Sequence, residues 1–160
     1  MIQHIDVHAV LQESVPGGAG GGERGGGGGG YANLVTRPTG RVVRERIERA
    51  IATAGASGVA IARMDFTGVE CIDYSCADEI VAKLLRGRPT VLVLSGISDG
   101  HREAIEPVLT GHGLAALIEG PDGALETLGT PGAAAALLEE LVARRLAART
   151  AGGTFALTLA

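Results

Sequence analysis

Apolar and polar positions separate most sharply over residues 58–86, GVAIARMDFTGVECIDYSCADEIVAKLLR. Val59, Ala60, Ile61, Ala62, Met64 and Phe66 form a nearly unbroken apolar run, the pattern of a strand covered on both faces in a parallel sheet. Asp65-Phe66-Thr67-Gly68 brings polar and glycine residues that begin a turn. A helix is predicted to follow, with Ser75 as its first residue. Counting 100° per residue from there gathers Cys76, Ala77, Ile80, Val81, Leu84 and Leu85 on one arc. Ser75, Asp78, Glu79, Ala82, Lys83 and Arg86 fill the opposite arc, so the helix is expected to lie on the sheet with the Ser75 hydroxyl exposed.

The flanking segments alternate in the same way. Ile5, Val7, Ala9 and Leu11 stand at alternate positions, which predicts a strand within residues 1–15. Thr36-Arg37-Pro38-Thr39-Gly40 introduces a helix with Thr39 as N-cap, and Gly55 ends it. Its inward face is Val43, Ile47, Ala50, Ile51 and Ala54; Arg41, Arg44, Glu45, Glu48 and Arg49, with Arg37 and Arg46 nearby, are assigned to solvent or a protein contact. Beyond the break at Gly87-Arg88-Pro89, residues 90–95, TVLVLS, read as a second buried strand. Ser98 or Asp99 caps a helix reaching Gly111, with Ile105, Val108 and Leu109 inward and Pro107 as a kink. Residues 114–118 are a third strand, and the turn Gly120-Pro121-Asp122-Gly123 leads to a hairpin partner at 124–128. Gly129-Thr130-Pro131 opens a final helix over 133–149, where Glu139-Glu140 and Arg144-Arg145 are spaced as ion pairs. Residues 154–160 form an edge strand or a tail. Strands alternating with helices predict an α/β fold, a small mixed sheet with parallel core strands flanked by helices.

Composition narrows the partners. The 160 residues suit one domain, interrupted at 16–30 by PGGAGGGERGGGGGG, a flexible loop or linker. That tract lacks the Lys-Ser or Lys-Thr companion of a phosphate loop and the later ribose-binding acid. A net charge of -4, with two Tyr, two Phe and no Trp, provides neither the basic surface nor the stacking platforms for nucleic acid. No stretch reaches the ~18 apolar residues of a bilayer span, and no basic segment followed by an apolar run opens the chain. A cytoplasmic protein without membrane attachment, cofactor or metal is expected. Cys71 and Cys76 read as reduced, mostly buried thiols.

Candidate chemistry centres on Ser75. As a helix N-cap, its oxygen would accept from the amide of Asp78; as an exposed hydroxyl at a helix N-terminus, it would suit a phosphate. Asp65 and Asp73 flank the strand end and turn, as turn caps or as an acid and base pair. Cys76 points into the apolar arc, which disfavours a thiol nucleophile. His4 and His8 are four apart without a completing cluster, and His101 and His112 read as surface or capping residues.

Met64-Asp65-Phe66-Thr67-Gly68-Val69 followed by Ser75-Cys76-Ala77-Asp78-Glu79 resembles the STAS domain, the fold of bacterial anti-sigma factor antagonists, and in particular its uncharacterised STAS-like branch. The resemblance covers roughly residues 36–120. It implies a non-enzymatic regulatory domain, phosphorylated at the position of Ser75 by an ATPase-fold serine kinase that also sequesters a sigma factor. Antagonists usually carry Asp-Ser-Ser-Gly or Asp-Ser-Thr-Gly here, whereas this chain has Tyr74 before Ser75 and Cys76 after it. The expected partner-binding face is Asp73, Tyr74, Ser75, Asp78, Glu79, Ala82, Lys83 and Arg86. The alternatives are a module for a small anion or nucleotide and a hydrolase built on Ser75 with Asp65 or Asp73.

Overall fold

The computed structural model describes residues 2–14, 32–53, 60–87 and 90–158. The glycine-rich tract, Ala54, Gly55, Gly58, Val59 and the last two residues lie outside them. The elements are β1 (Ile2–Asp6), α1 (Val7–Ser14), β2 (Asn33–Leu34), α2 (Arg37–Thr53), β3 (Ala60–Asp65) and β4 (Cys71–Ile72). There follow α3, made of three consecutive helical pieces (Tyr74–Ala77, Asp78–Ala82 and Lys83–Gly87), then β5 (Thr90–Ser95) and α4 (Asp99–Gly111). The chain ends with β6 (Ala115–Glu119), β7 (Leu125–Gly129), α5 (Pro131–Ala143), β8 (Ala147–Arg149) and β9 (Phe155–Leu157).

One sheet has the strand order β1-β3-β5-β6-β7-β9-β8, and β2 pairs with β4 in a two-stranded sheet. β1, β3, β5 and β6 are parallel; β7, β9 and β8 add antiparallel pairs. The fold is thus mixed α/β, with helices flanking a largely parallel sheet. Strand alternation divides the core in two. Ala62, Met64, Leu92, Leu94, Ala116 and Ile118 face a cluster built with α1, α2, α3 and α4, including Leu11, Ile47, Ile80 and Leu109. Ile61, Val91, Val93 and Leu117 face the other way, towards Leu141 of α5 and Ala147 of β8. The continuous apolar runs of β3 and β5 are therefore explained by burial on both faces.

Several expectations are corrected. The N-terminal strand stops at Asp6, whose Oδ1 accepts from the Ala9 amide at 3.0 Å and starts α1. Val7 and Leu11, one helical turn apart, are fully buried, with Val10 packed beside them. α2 begins at Arg37, two residues before Thr39, and Thr36 precedes it with φ 69°. α5 runs from Pro131 to Ala143; Arg145 at φ 61° breaks it, and Ala147–Arg149 becomes an edge strand. Phe155–Leu157 lies between β7 and β8, so it is not the edge. The hairpin of β6 and β7, the Ser98 N-cap of α4 and the Glu140–Arg144 pair at 3.2 Å follow the sequence reading. Among the described residues, no helix is long and apolar enough to cross a membrane.

The phase of α3 is the correction with consequences for the site. Its middle piece, Asp78–Ala82, is a π-helical turn with i to i+5 hydrogen bonding. The wider turn offsets the 100° count from Asp78 onwards. Glu79 and Ala82, expected on the wet arc, are both fully buried. Both are therefore lost from the expected docking face.

Candidate functional site

The site is built where α2, α3 and the end of α4 converge. Asp73, not Ser75, caps α3: its Oδ1 accepts from the Cys76 amide at 2.8 Å. The same oxygen accepts the Ser75 hydroxyl at 2.8 Å, while Oδ2 accepts the Thr36 amide at 3.0 Å. Tyr74 is the first helical residue and Ser75 the second, half-buried, with its proton committed to Asp73. Burial alone would raise the Asp73 carboxyl, but the Cys76 and Thr36 amides and the Ser75 hydroxyl outweigh it and hold the group below the usual carboxylate range. A β-branched residue at φ 69° is strained, and Thr36 is held there by Asp73 and by its hydroxyl donating to that of Thr39 at 3.2 Å.

Behind this turn stands a buried ion cluster. Glu79 Oε2 meets Arg37 Nη1 and Lys83 Nζ, each at 2.8 Å, and Oε1 meets Arg44 Nε at 3.1 Å. Burial works to raise its pKa; hydrogen bonds from Lys83, Arg37 and Arg44 outweigh this and hold it at about 2. Arg37 and Arg44, assigned to solvent from the sequence, instead neutralise the one buried carboxylate among the described residues. Arg37 Nη1 also reaches Asp78 Oδ2 at 2.8 Å, and His112 Nε2 lies 3.2 Å from Asp78 Oδ1. Asp78 thereby ties the start of α2 to the C-cap of α4. Burial pushes Asp78 up, and the hydrogen bonds and charges of Arg37 and His112 together outweigh it and hold the group below its ordinary value.

An open depression of about 590 Å³ lies in front, with Arg37, Tyr74, Ser75, Asp78, Val108 and His112 among its walls. Tyr74 is 63% exposed and stands at its rim, the most exposed of the large apolar side chains among the described residues. Arg86 is exposed at the end of α3, and Lys83 is half-exposed with its ammonium turned to Glu79. Of the expected docking face, Tyr74, Ser75 and Asp78 share the depression. Arg37, Val108 and His112 join them unforeseen, because only the packing of α2 and α4 brings them there.

The remaining candidates separate. Asp65 Oδ1 accepts from the Thr67 amide at 2.9 Å, so Asp65 and Asp73 each cap a turn. The Ser75 hydroxyl donates to the Asp73 carboxylate, which is held below the usual carboxylate range and is therefore a weak base for a serine nucleophile. Cys76 is buried, its thiol donating to the Thr36 carbonyl at 3.1 Å; burial, followed by the charge of Asp73, pushes it up to about 12. Cys71, expected buried, is exposed. His4 lies on β1 and His8 on α1, with His8 Nε2 3.2 Å from Gln12 Nε2. Among the described residues, no group of three His, Cys, Asp or Glu is placed to hold a metal ion. His101, read as surface or capping, does cap α4 but is buried.

Compared with protein-family models, curated proteins and solved structures, the chain matches none of them.

Proposed function

We propose that the chain is a non-enzymatic regulatory interaction domain, akin to an anti-sigma factor antagonist, that docks a protein partner on the depression beside Tyr74. Ser75 is the residue whose phosphorylation switches the contact. The observation that carries this reading is the shared carboxylate: the Ser75 hydroxyl and the cap of α3 use one oxygen of Asp73, and the strained Thr36 amide uses the other. A phosphoserine has no proton to donate there, and its charge of about -1.5 to -2 repels Asp73 and Asp78. Loss of that bond loosens Thr36 and hence Arg37, the next residue and a wall of the depression. Tyr74 supplies the apolar, hydrogen-bonding anchor that interfaces favour. The STAS resemblance adds the partner class, an ATPase-fold serine kinase that also sequesters a sigma factor; the exchange is proposed to take place in the cytoplasm.

The test is a pull-down from lysate with wild type, Tyr74→Ala, Ser75→Ala and Ser75→Glu, with bound proteins identified by mass spectrometry. An ATPase-fold protein retained by wild type and Ser75→Ala, and weakened about tenfold or more by Tyr74→Ala and Ser75→Glu, supports the reading. Equal retention of the same protein by all four variants overturns it, as does retention of no ATPase-fold protein by wild type.

A further inference from the structure

The outer side of α5 and the free edge of the large sheet form a groove that the proposed function leaves unused. α5 packs on the face of Ile61, Val93 and Leu117, opposite the face that carries α3 and Tyr74. Its only charged residues are Glu139 and Glu140, and after the opening Pro-Gly the rest are alanine, leucine and valine, yet only Ala134 and Leu141 are buried. Ala135, Leu138, Glu139 and Val142 follow at spacings of three and four and form one stripe, with Val142 41% exposed. That stripe is one wall of a groove of about 540 Å³. Arg149 of β8 and Phe155 of β9 form the other, the guanidinium 5.0 Å from the ring centroid. β8 is the last strand of its sheet, so its outer side has no neighbouring strand among the described residues. The residues flanking β8 bond inward: the Thr158 amide donates to the Leu146 carbonyl at 2.9 Å and the Thr150 amide to the Thr154 carbonyl at 2.6 Å. Ladder alternation then turns the backbone N–H and C=O of Ala147 and Arg149 outward.

An exposed apolar stripe beside an open strand edge favours cover by another chain, and two features select a second copy. The edge is complementary to itself. A two-fold axis at Ala148 sets Ala147 of each copy opposite Arg149 of the other, each pair exchanging both of its outward backbone hydrogen bonds. The same axis keeps both α5 helices on one side of the joined sheet, antiparallel and stripe to stripe. The charges are complementary as well. Glu140 is taken by Arg144, whereas Glu139 on one wall and Arg149 on the other have no ion-pair partner among the described residues. An arginine at a lone edge discourages strand pairing; facing a glutamate of a second copy, it selects that copy. We propose that the chain forms a two-fold dimer through β8 and α5, its sheet continuous across both copies and Glu139 of each facing Arg149 of the other.

The test is sedimentation equilibrium of the full chain from micromolar to submillimolar concentration, with the mass read against the 16.2 kDa of one copy. Wild type is expected to approach twice that mass as concentration rises. Val142→Glu, Glu139→Arg and Arg149→Glu are each expected to weaken association about tenfold or more. An equimolar mixture of Glu139→Arg and Arg149→Glu is expected to restore it, because the mixed pair sets opposite charges at both contacts while either variant alone meets like charges. Tyr74→Ala, on the other face, should leave association unchanged, which separates this contact from the proposed docking surface. Circular dichroism melts at low concentration check that each variant folds; should Val142→Glu fail to fold, the charge variants decide alone. A wild type that stays at the mass of one copy throughout leaves the groove to a different partner and overturns the proposal. So does a dimer that survives both charge variants, a mixture that associates no more tightly than its components, or a dimer lost in Tyr74→Ala.

Discussion

Gly40 of α2 lies so close to Cys76 of α3 that a Cβ on Gly40 would fall 3.0 Å from the Cys76 Cα and 3.1 Å from its Sγ. Gly40→Ala tests that approach. Helix propensity alone would favour alanine by about 1 kcal/mol. Against this, the new methyl also meets Glu79 Cβ at 3.2 Å, and the neighbours are backbone and buried side chains that cannot swing away. Overpacking costs about 1–3 kcal/mol, so the net expectation is a loss of about 1 kcal/mol in urea unfolding. A stabilised variant would show that α2 and α3 slide apart freely.

Glu79 makes stability fall in acid. Its pKa drops from an ordinary 4.5 to about 2 on folding, so its contribution is complete above pH 4.5 and is lost as pH falls towards about 2. Asp73 and Asp78, both also lowered, act in the same direction. The wild-type urea midpoint is expected to decline over that range. Glu79→Gln leaves three cations around a neutral amide. It should cost about 3 kcal/mol at neutral pH, the low end for breaking a buried pair because the cations retain some solvent, and should flatten the acid limb. An acid limb unchanged in Glu79→Gln would place the proton uptake elsewhere.

The two thiols should react unequally. Cys71 is exposed, whereas Cys76 is buried with its thiol pushed up to about 12. A disulfide reagent added to the native chain is expected to label Cys71 promptly and Cys76 only on unfolding. Mass spectrometry of the labelled peptides reads the difference directly. Prompt labelling of Cys76 would mean that the start of α3 opens readily.

The parallel strands, the β6–β7 hairpin and the inward faces of α2 and α4 were legible because each is a period that burial on a sheet enforces. Glu79 was not, since a π turn leaves no mark in an apolar pattern and DEIVAK reads as an ordinary surface turn. One signal was present on α2: Arg37, Gly40 and Arg44 lie on a single stripe, two arginines around a gap that lets another helix approach. The end of α5 was hidden differently. Residues 133–149 favour helix throughout, and pairing of Ala147–Arg149 with β9 overrides that local preference. Ser75 was located correctly on α3, but its bond to Asp73 depends on Asp73 taking the cap two residues upstream.

His101 gives the last expectation, because its protonation competes with a fixed set of bonds. Nδ1 accepts from the Ser98 amide at 3.0 Å, which leaves the proton of the neutral ring on Nε2, donating to the Val69 carbonyl at 2.9 Å. The ring is buried, its centroid 5.6 Å from that of Phe66. Burial lowers its pKa below 6.5, and the acceptor bonds at Val69 and Glu70 only partly offset that. The unfolded chain therefore takes up this proton first. The stability His101 contributes is complete above pH 6.5 and is lost as pH falls through its lower folded value. In a proton NMR titration, the His101 ring should show a midpoint below 6.5. His101→Asn should remove the change in urea midpoint between pH 7 and the histidine range, at the cost of its bond to Val69. A His101 midpoint at or above 6.5 would mean that the charged ring is accommodated and that the Ser98 cap gives way first.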